Sequence, residues 1–134
     1  MRIRNTIWLI VFIGLGCLLS GCSYDPIDEQ KQRIAVNPND IWAYYNLGNV
    51  YKDLGRYEEA IVEYQKTIEI DPKHANAHYD LASIYSLKKE KDLAIEFLQK
   101  AIVLNEFYVE FSKTDPFFDN IRQTPEFQQL IDSY

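Results

Sequence analysis

Between residues 28 and 106 the apolar positions recur three and four apart, the spacing that gathers side chains on one face of an α-helix. Tyr44, Leu47, Tyr51 and Leu54 make one stripe, with small Ala43 and Gly48 beside it to admit a close neighbour. Ala60, Ile61, Tyr64, Ile68 and Ile70 make a second stripe, and Gly55-Arg56 between the two provides a tight turn. Two stripes joined by so short a turn predict two helices packed antiparallel. Asn37-Pro38 and Asp71-Pro72 each end one hairpin and launch the next.

The pattern repeats. Ala43, Tyr45, Leu47, Tyr51, Ala60, Ile61, Gln65, Lys66 and Ile68 recur 34 residues later as Ala77, Tyr79, Leu81, Tyr85, Ala94, Ile95, Gln99, Lys100 and Ile102, a period that marks stacked helical hairpins. The first copy runs Tyr44, Leu47-Gly48, Tyr51, Ala60, Tyr64 and Pro72, and it resembles the tetratricopeptide repeat signature. The second has His78, Leu81-Ala82, Tyr85, Ala94, Leu98 and Glu106 at those places. Upstream, residues 31–38 match residues 65–72 in register, as the tail of a truncated leading repeat would. The resemblance implies an all-α fold, a short tetratricopeptide-type solenoid of helical hairpins. It would hold about two full repeats plus a leading half-repeat within residues 28–106, and a C-terminal helical cap over 107–134. Leu47, Tyr51, Ala60, Leu81, Tyr85 and Ala94 are then scaffold. The second turn, around Lys88-Lys89-Glu90, has no glycine, so its geometry is less closely specified than that at Gly55.

After Leu104 the period fades, and the open end of a solenoid needs cover. Asp115-Pro116 and Thr124-Pro125 each put an N-capping side chain before a proline at the first helical position. The run containing Phe118, Ile121, Arg122 and Phe127 resembles a tail of other tetratricopeptide proteins, whose two aromatics pack onto the last hairpin.

The first residues are of another kind. Arg2 and Arg4 precede an apolar run over residues 7–19, shorter than the roughly 20 residues that cross a bilayer. The run ends in Leu19-Ser20-Gly21-Cys22, which resembles the bacterial lipobox. That resemblance implies a lipoprotein signal peptide over residues 1–21, a diacylglyceryl group on the Cys22 thiol, and a tether over 22–27. Cys17 is the weaker acceptor, because Gly14 stands where the motif has leucine. The lipid at Cys22 is the only group bound to the chain on this view, with no other cofactor. Export and anchoring to the cell membrane follow. Ser23 lacks the aspartate of an inner-membrane retention signal, which points to the periplasmic face of the outer membrane in a Gram-negative host.

Charge narrows the partners. The chain carries a formal net charge of −6, to which Arg2 and Arg4 contribute +2, so the body after the leader stands at −8. An acidic body argues against nucleic acid, whose phosphates call for clustered Lys and Arg. No cysteine follows Cys22, so the body has no internal disulfide. His74 and His78 lie four apart, but with no third histidine and no following glutamate they are not assigned a metal. Glu58 and Glu59 sit at a helix start, where they suit the helix dipole. With no phosphate loop or nucleophile motif, the chain is read as a binding protein and not as an enzyme, with no catalytic residue assigned.

In tetratricopeptide stacks the first helices of successive repeats line a concave groove. The resemblance therefore implies a binding groove of Trp42, Tyr45, Asn49 and Lys52 from the first repeat and Asn76, Tyr79, Ser83 and Ser86 from the second. Alternatively, Trp42 and Tyr45 pack under the leading helix around Ile34. Aromatic anchors among small polar groups suit a protein or peptide partner in the cell envelope, and the short stack leaves room for self-association. The expected function is a membrane-anchored adaptor or assembly factor. The alternative is a structural lipoprotein whose tyrosines contact glycan or peptidoglycan.

Overall fold

A computed structural model describes residues 25–134; the leader over residues 1–21 and the acceptor Cys22 lie outside the described residues. Among the described residues there are seven α-helices and one 3₁₀ turn, and no strand. Helix α1 spans Pro26–Val36, α2 Ile41–Asp53, α3 Tyr57–Ile70, α4 Ala75–Leu87 and α5 Lys91–Leu104. The cap consists of α6 (Phe107–Thr114), a 3₁₀ turn (Pro116–Phe118) and α7 (Pro125–Asp132). Each helix packs on the next in chain order from α1 to α6. The result is a short solenoid of tetratricopeptide-type hairpins, α2 with α3 and α4 with α5, preceded by the single helix α1.

Helix α1 begins inside the segment expected to be tether. The Asp25 side chain accepts a hydrogen bond from the Ile27 N–H at 2.8 Å, and Pro26 fills the first helical position. Both residues disfavour the interior of a helix, yet together they start one, because a cap satisfies a free N–H and proline has none to satisfy.

The linkers between hairpins repeat atom for atom. Asn37 Oδ1 accepts from the Asn39 N–H at 3.1 Å, and Asp71 Oδ1 accepts from the Lys73 N–H at 3.0 Å. Asn105 Oδ1 does the same for the Phe107 N–H at 3.1 Å. The repeat geometry thus continues into α6, past the point where the sequence period fades, because the side-chain amide of Asn105 makes the turn and proline is not required. The next residues in register, Asp40 and His74, cap α2 and α4 by accepting from the Ala43 and Ala77 N–H groups.

The turns within the hairpins also match. Gly55 takes φ 70° and Lys89 takes φ 63°. The N–H of Gly55 donates to the Lys52 carbonyl at 2.9 Å and that of Arg56 to Tyr51 at 2.8 Å; Lys89 to Ser86 and Glu90 to Tyr85 are both 2.9 Å. Glycine reaches this left-handed conformation freely, whereas Lys89 is held there against its side chain's preference by the packing on either side.

The expected scaffold residues Leu47, Tyr51, Ala60, Leu81, Tyr85 and Ala94 all lie in one core. Leu54 departs from its predicted stripe: it is 59% exposed, because it lies just past the last residue of α2, in the turn that leads to Gly55. Phe118 and Phe127 are buried with ring centroids 6.1 Å apart. The 3₁₀ turn carrying Phe118 rests on α4, and α7 rests on α5.

Candidate functional site

The concave side is built first by α2. Tyr45 and Lys52 are seven residues apart, two turns along one face, and both reach across to α4. The Tyr45 hydroxyl donates to Asp80 Oδ2 at 2.9 Å, and Lys52 Nζ meets Asp80 Oδ1 at 2.5 Å. Lys52 Nζ also stands 5.7 Å from the centre of the Phe117 ring. Asp80 is thus a nearly buried carboxylate held by a phenol and an ammonium from the neighbouring repeat. Burial, and then the Asp80 charge, raise the Tyr45 phenol well above its ordinary range, so it stays a donor.

The opposite wall comes from the cap. Tyr79 on α4 stacks on Tyr108 on α6 with ring centroids 4.4 Å apart, and Phe111 leans on it at 5.5 Å. The Tyr79 hydroxyl donates to Asp115 Oδ2 at 2.6 Å, while Asp115 Oδ1 accepts from the Phe117 N–H and so caps the 3₁₀ turn. The Tyr108 hydroxyl donates to Asn76 Oδ1 at 2.7 Å. Burial raises the phenols of Tyr79 and Tyr108 as well, with the hydrogen bond to Asp115 next in weight for Tyr79. Between the two walls lies a cavity of about 360 Å³.

Five of the eight residues expected in the groove line this cavity: Tyr45, Lys52, Asn76, Tyr79 and Ser83. Trp42 does not line the cavity; it is 60% exposed, with its ring edge-on to Tyr45, which does, and to His74. Asn49 turns inward, where its Oδ1 accepts from the Tyr64 hydroxyl at 2.7 Å. Ser86 is fully buried, and Asn120 from the cap donates to its carbonyl at 3.3 Å. No partner can reach Ser86, because the cap occupies the stretch of groove in front of it.

Asp80, Tyr108, Phe111, Asp115 and Phe117 also line the cavity, and the sequence reasoning did not place them there. Asp80 had a usable signal: it is the one charged residue of α4 and lies one turn beyond Asn76. The other four belong to the cap, outside the period that defined the groove.

The two histidines have backbone roles. His74 Nδ1 accepts from the Ala77 N–H at 3.2 Å, and His78 Nε2 lies 2.9 Å from the Pro72 carbonyl, to which it donates. Burial holds the His74 imidazole below its ordinary range, which keeps it neutral and able to accept.

Comparison with known proteins gives the same architecture. Residues 48–89 match a family model described as TPR repeat, and residues 75–108 match one described as tetratricopeptide repeat. Residues 48–108 therefore carry tetratricopeptide repeats. Of 43 solved chains that match, one is described as the crystal structure of MamA: it is 34% identical over 63% of this chain, with a TM-score of 0.58. This chain covers 49% of that one, so it spans about half its length. No curated protein matches.

Proposed function

We propose, with the tetratricopeptide repeats of residues 48–108 as premise, that this chain is a membrane-anchored adaptor of the cell envelope that holds a protein partner in its concave groove. Repeats of this kind bind proteins, which supports the general role. The observation that carries the finer reading is the aromatic cavity between α2, α4 and the cap, with the exposed Trp42 ring against its lining residue Tyr45. A cavity of about 360 Å³ suits a few side chains of an extended segment, within the range of small recognition pockets. Anchoring is supported by the Leu19-Ser20-Gly21-Cys22 motif at the end of an apolar leader. Among the described residues no helix is long and apolar enough to cross a membrane. Two or three acyl chains on Cys22, at about 0.8 kcal/mol per buried methylene, would hold the body at a membrane surface. Ser23 after the acceptor favours the outer membrane where the host has one.

In-cell crosslinking tests the groove. Trp42→Ala with Phe111→Ala removes two exposed rings from its edge and should abolish the crosslinked partner band while helical circular dichroism stays unchanged. Equal crosslinking by the folded double variant would rule the groove out. For the anchor, Cys22→Ser should abolish incorporation of a labelled fatty acid; label that persists would move the acceptor elsewhere.

A further inference from the structure

The cavity already contains a bound cation, supplied by the chain itself. Lys52 Nζ sits on Asp80 at 2.5 Å, beside the Phe117 ring. Its side chain keeps only 18% of its exposure and that of Asp80 only 10%, so this is a largely desolvated ammonium on a largely desolvated carboxylate. A second carboxylate, Asp115, faces the same space, and its side-chain oxygens accept from the Tyr79 hydroxyl and the Phe117 N–H; the Arg122 guanidinium beside it donates to the Asp115 backbone carbonyl and pairs with Asp119, leaving the Asp115 carboxylate to those two donors. The lining charges, Lys52 against Asp80 and Asp115, leave the cavity negative. An aromatic wall completes it: Tyr79 and Tyr108 stack on each other, and Phe111, which keeps 44% of its exposure, leans in. Carboxylates among aromatic faces attract a cation, by direct charge and by the quadrupole of the rings. The body around it, at −8 after the leader, draws positive charge from a distance as well.

We propose that this cavity receives a lysine or arginine side chain of the partner protein, which takes its place against Asp115 and the aromatic wall and competes with Lys52 for Asp80. The inference rests on the groove being the binding surface, and it adds the chemistry of what enters. Lys52 is then a resident occupant and not a receptor for acidic groups, which gives its removal a definite sign. A groove that used Lys52 to seize a carboxylate would weaken when it is lost. A groove built for cations strengthens, because Asp80 is set free.

The experiment uses the full-length chain in neutral detergent at physiological ionic strength and fluorescein-labelled peptides of about a dozen residues, of the reach that a short groove accommodates. The peptides share one Ser/Ala/Gly background and carry arginines, lysines, norleucines or glutamates at the same places. Fluorescence anisotropy should show the arginine and lysine peptides binding about ten-fold tighter than the norleucine peptide, between the size of an exposed and of a fully desolvated cation–aromatic contact, with the glutamate peptide weakest. Lys52→Met should tighten the arginine peptide several-fold. Asp80→Asn and Asp115→Asn should each loosen it, and Glu69→Gln, which removes the same charge from an exposed outer position, should leave it unchanged.

Tighter glutamate binding, equal norleucine binding, a loss on Lys52→Met, or an equal loss on Glu69→Gln would each overturn the proposal. So would the absence of binding by any of the peptides. Should one aspartate variant fail to fold by circular dichroism, the other and Lys52→Met still decide the sign. The crosslinking of the Trp42/Phe111 pair is read separately, so a groove that binds a partner of another chemistry is distinguishable from no groove at all.

Discussion

The two hairpins set equivalent positions in the same register and use them differently. The expected groove residues are four pairs at an offset of 34: Trp42 with Asn76, Tyr45 with Tyr79, Asn49 with Ser83 and Lys52 with Ser86. In the first hairpin all four keep some exposure, and α2 buries only Ala43, Leu47, Gly48 and Tyr51. In the second, Tyr79, Ser83 and Ser86 are buried, and α4 is buried continuously over residues 77–86. The cause is the cap, whose 3₁₀ turn lies on the face of α4 that is free on α2. One hairpin therefore contributes stability and the other contributes open surface, and the cavity forms at the step between them.

Removing the cap's anchor should erase most of that difference. Phe118 is fully buried, and truncation of such a ring costs about 3–5 kcal/mol. Urea denaturation of Phe118→Ala should show a loss of that size; a loss under about 1 kcal/mol, the range of a surface change, would mean that the cap is peripheral.

Next in size is the internal packing of each hairpin. A Cβ on Gly48 would come within 2.6 Å of Tyr64 Cε1, whereas the second hairpin pairs Ala82 with the shorter Leu98, both fully buried. Gly48→Ala should cost about 1–3 kcal/mol through overpacking. Tyr64→Leu should be less harmful in the Gly48→Ala background than alone, since the pair then copies Ala82 and Leu98. A double-mutant cycle measures the coupling, and strictly additive losses would contradict the close approach.

The turns differ less. Gly55→Ala forces a side chain into the left-handed region and should lose about 1 kcal/mol. Lys89→Gly relieves the same conformation and should gain up to about 1 kcal/mol in the same assay. The opposite sign at either position would refute the equivalence of the two turns.

The smallest expected effect is a pH dependence confined to one cap. His74 caps α4 as a neutral acceptor, and Asp40 stands at the equivalent place before α2. Burial holds the His74 pKa below its ordinary 6.5, so above that pH the histidine is neutral in both the folded and unfolded chain and the cap's contribution is complete. As pH falls through 6.5 the unfolded chain takes up a proton first, and stability is lost progressively toward the lower folded pKa. His74→Asp should flatten the melting temperature over that interval. A slope that survives the substitution would assign the effect elsewhere.

These contrasts explain what could be seen in advance. The hairpins were legible because their information is local: a period of 34 residues, a glycine at one turn and Asx residues at each linker. The second turn, with lysine in place of glycine, closes identically because Tyr85 and Ser86 supply the same carbonyls as Tyr51 and Lys52. The groove was legible only as a set of equivalent positions. What separates Tyr45 from Tyr79 is where the receiving carboxylate lies: the Tyr45 hydroxyl meets Asp80 on the next hairpin, whereas the Tyr79 hydroxyl meets Asp115 in the cap, outside the period. Asp80 is missing from the expected groove for a related reason: its partners Tyr45 and Lys52 lie 35 and 28 residues away, so the pairing exists only once the hairpins have stacked.

Amide hydrogen exchange on the intact chain tests the central division of labour most directly, because protection reports the free energy of local opening residue by residue. The amides of residues 77–86 should exchange only on global unfolding, and those of the equivalent residues 43–52 through smaller, cheaper openings. Equal protection in the two helices, or slower exchange in α2 than in α4, would contradict the account.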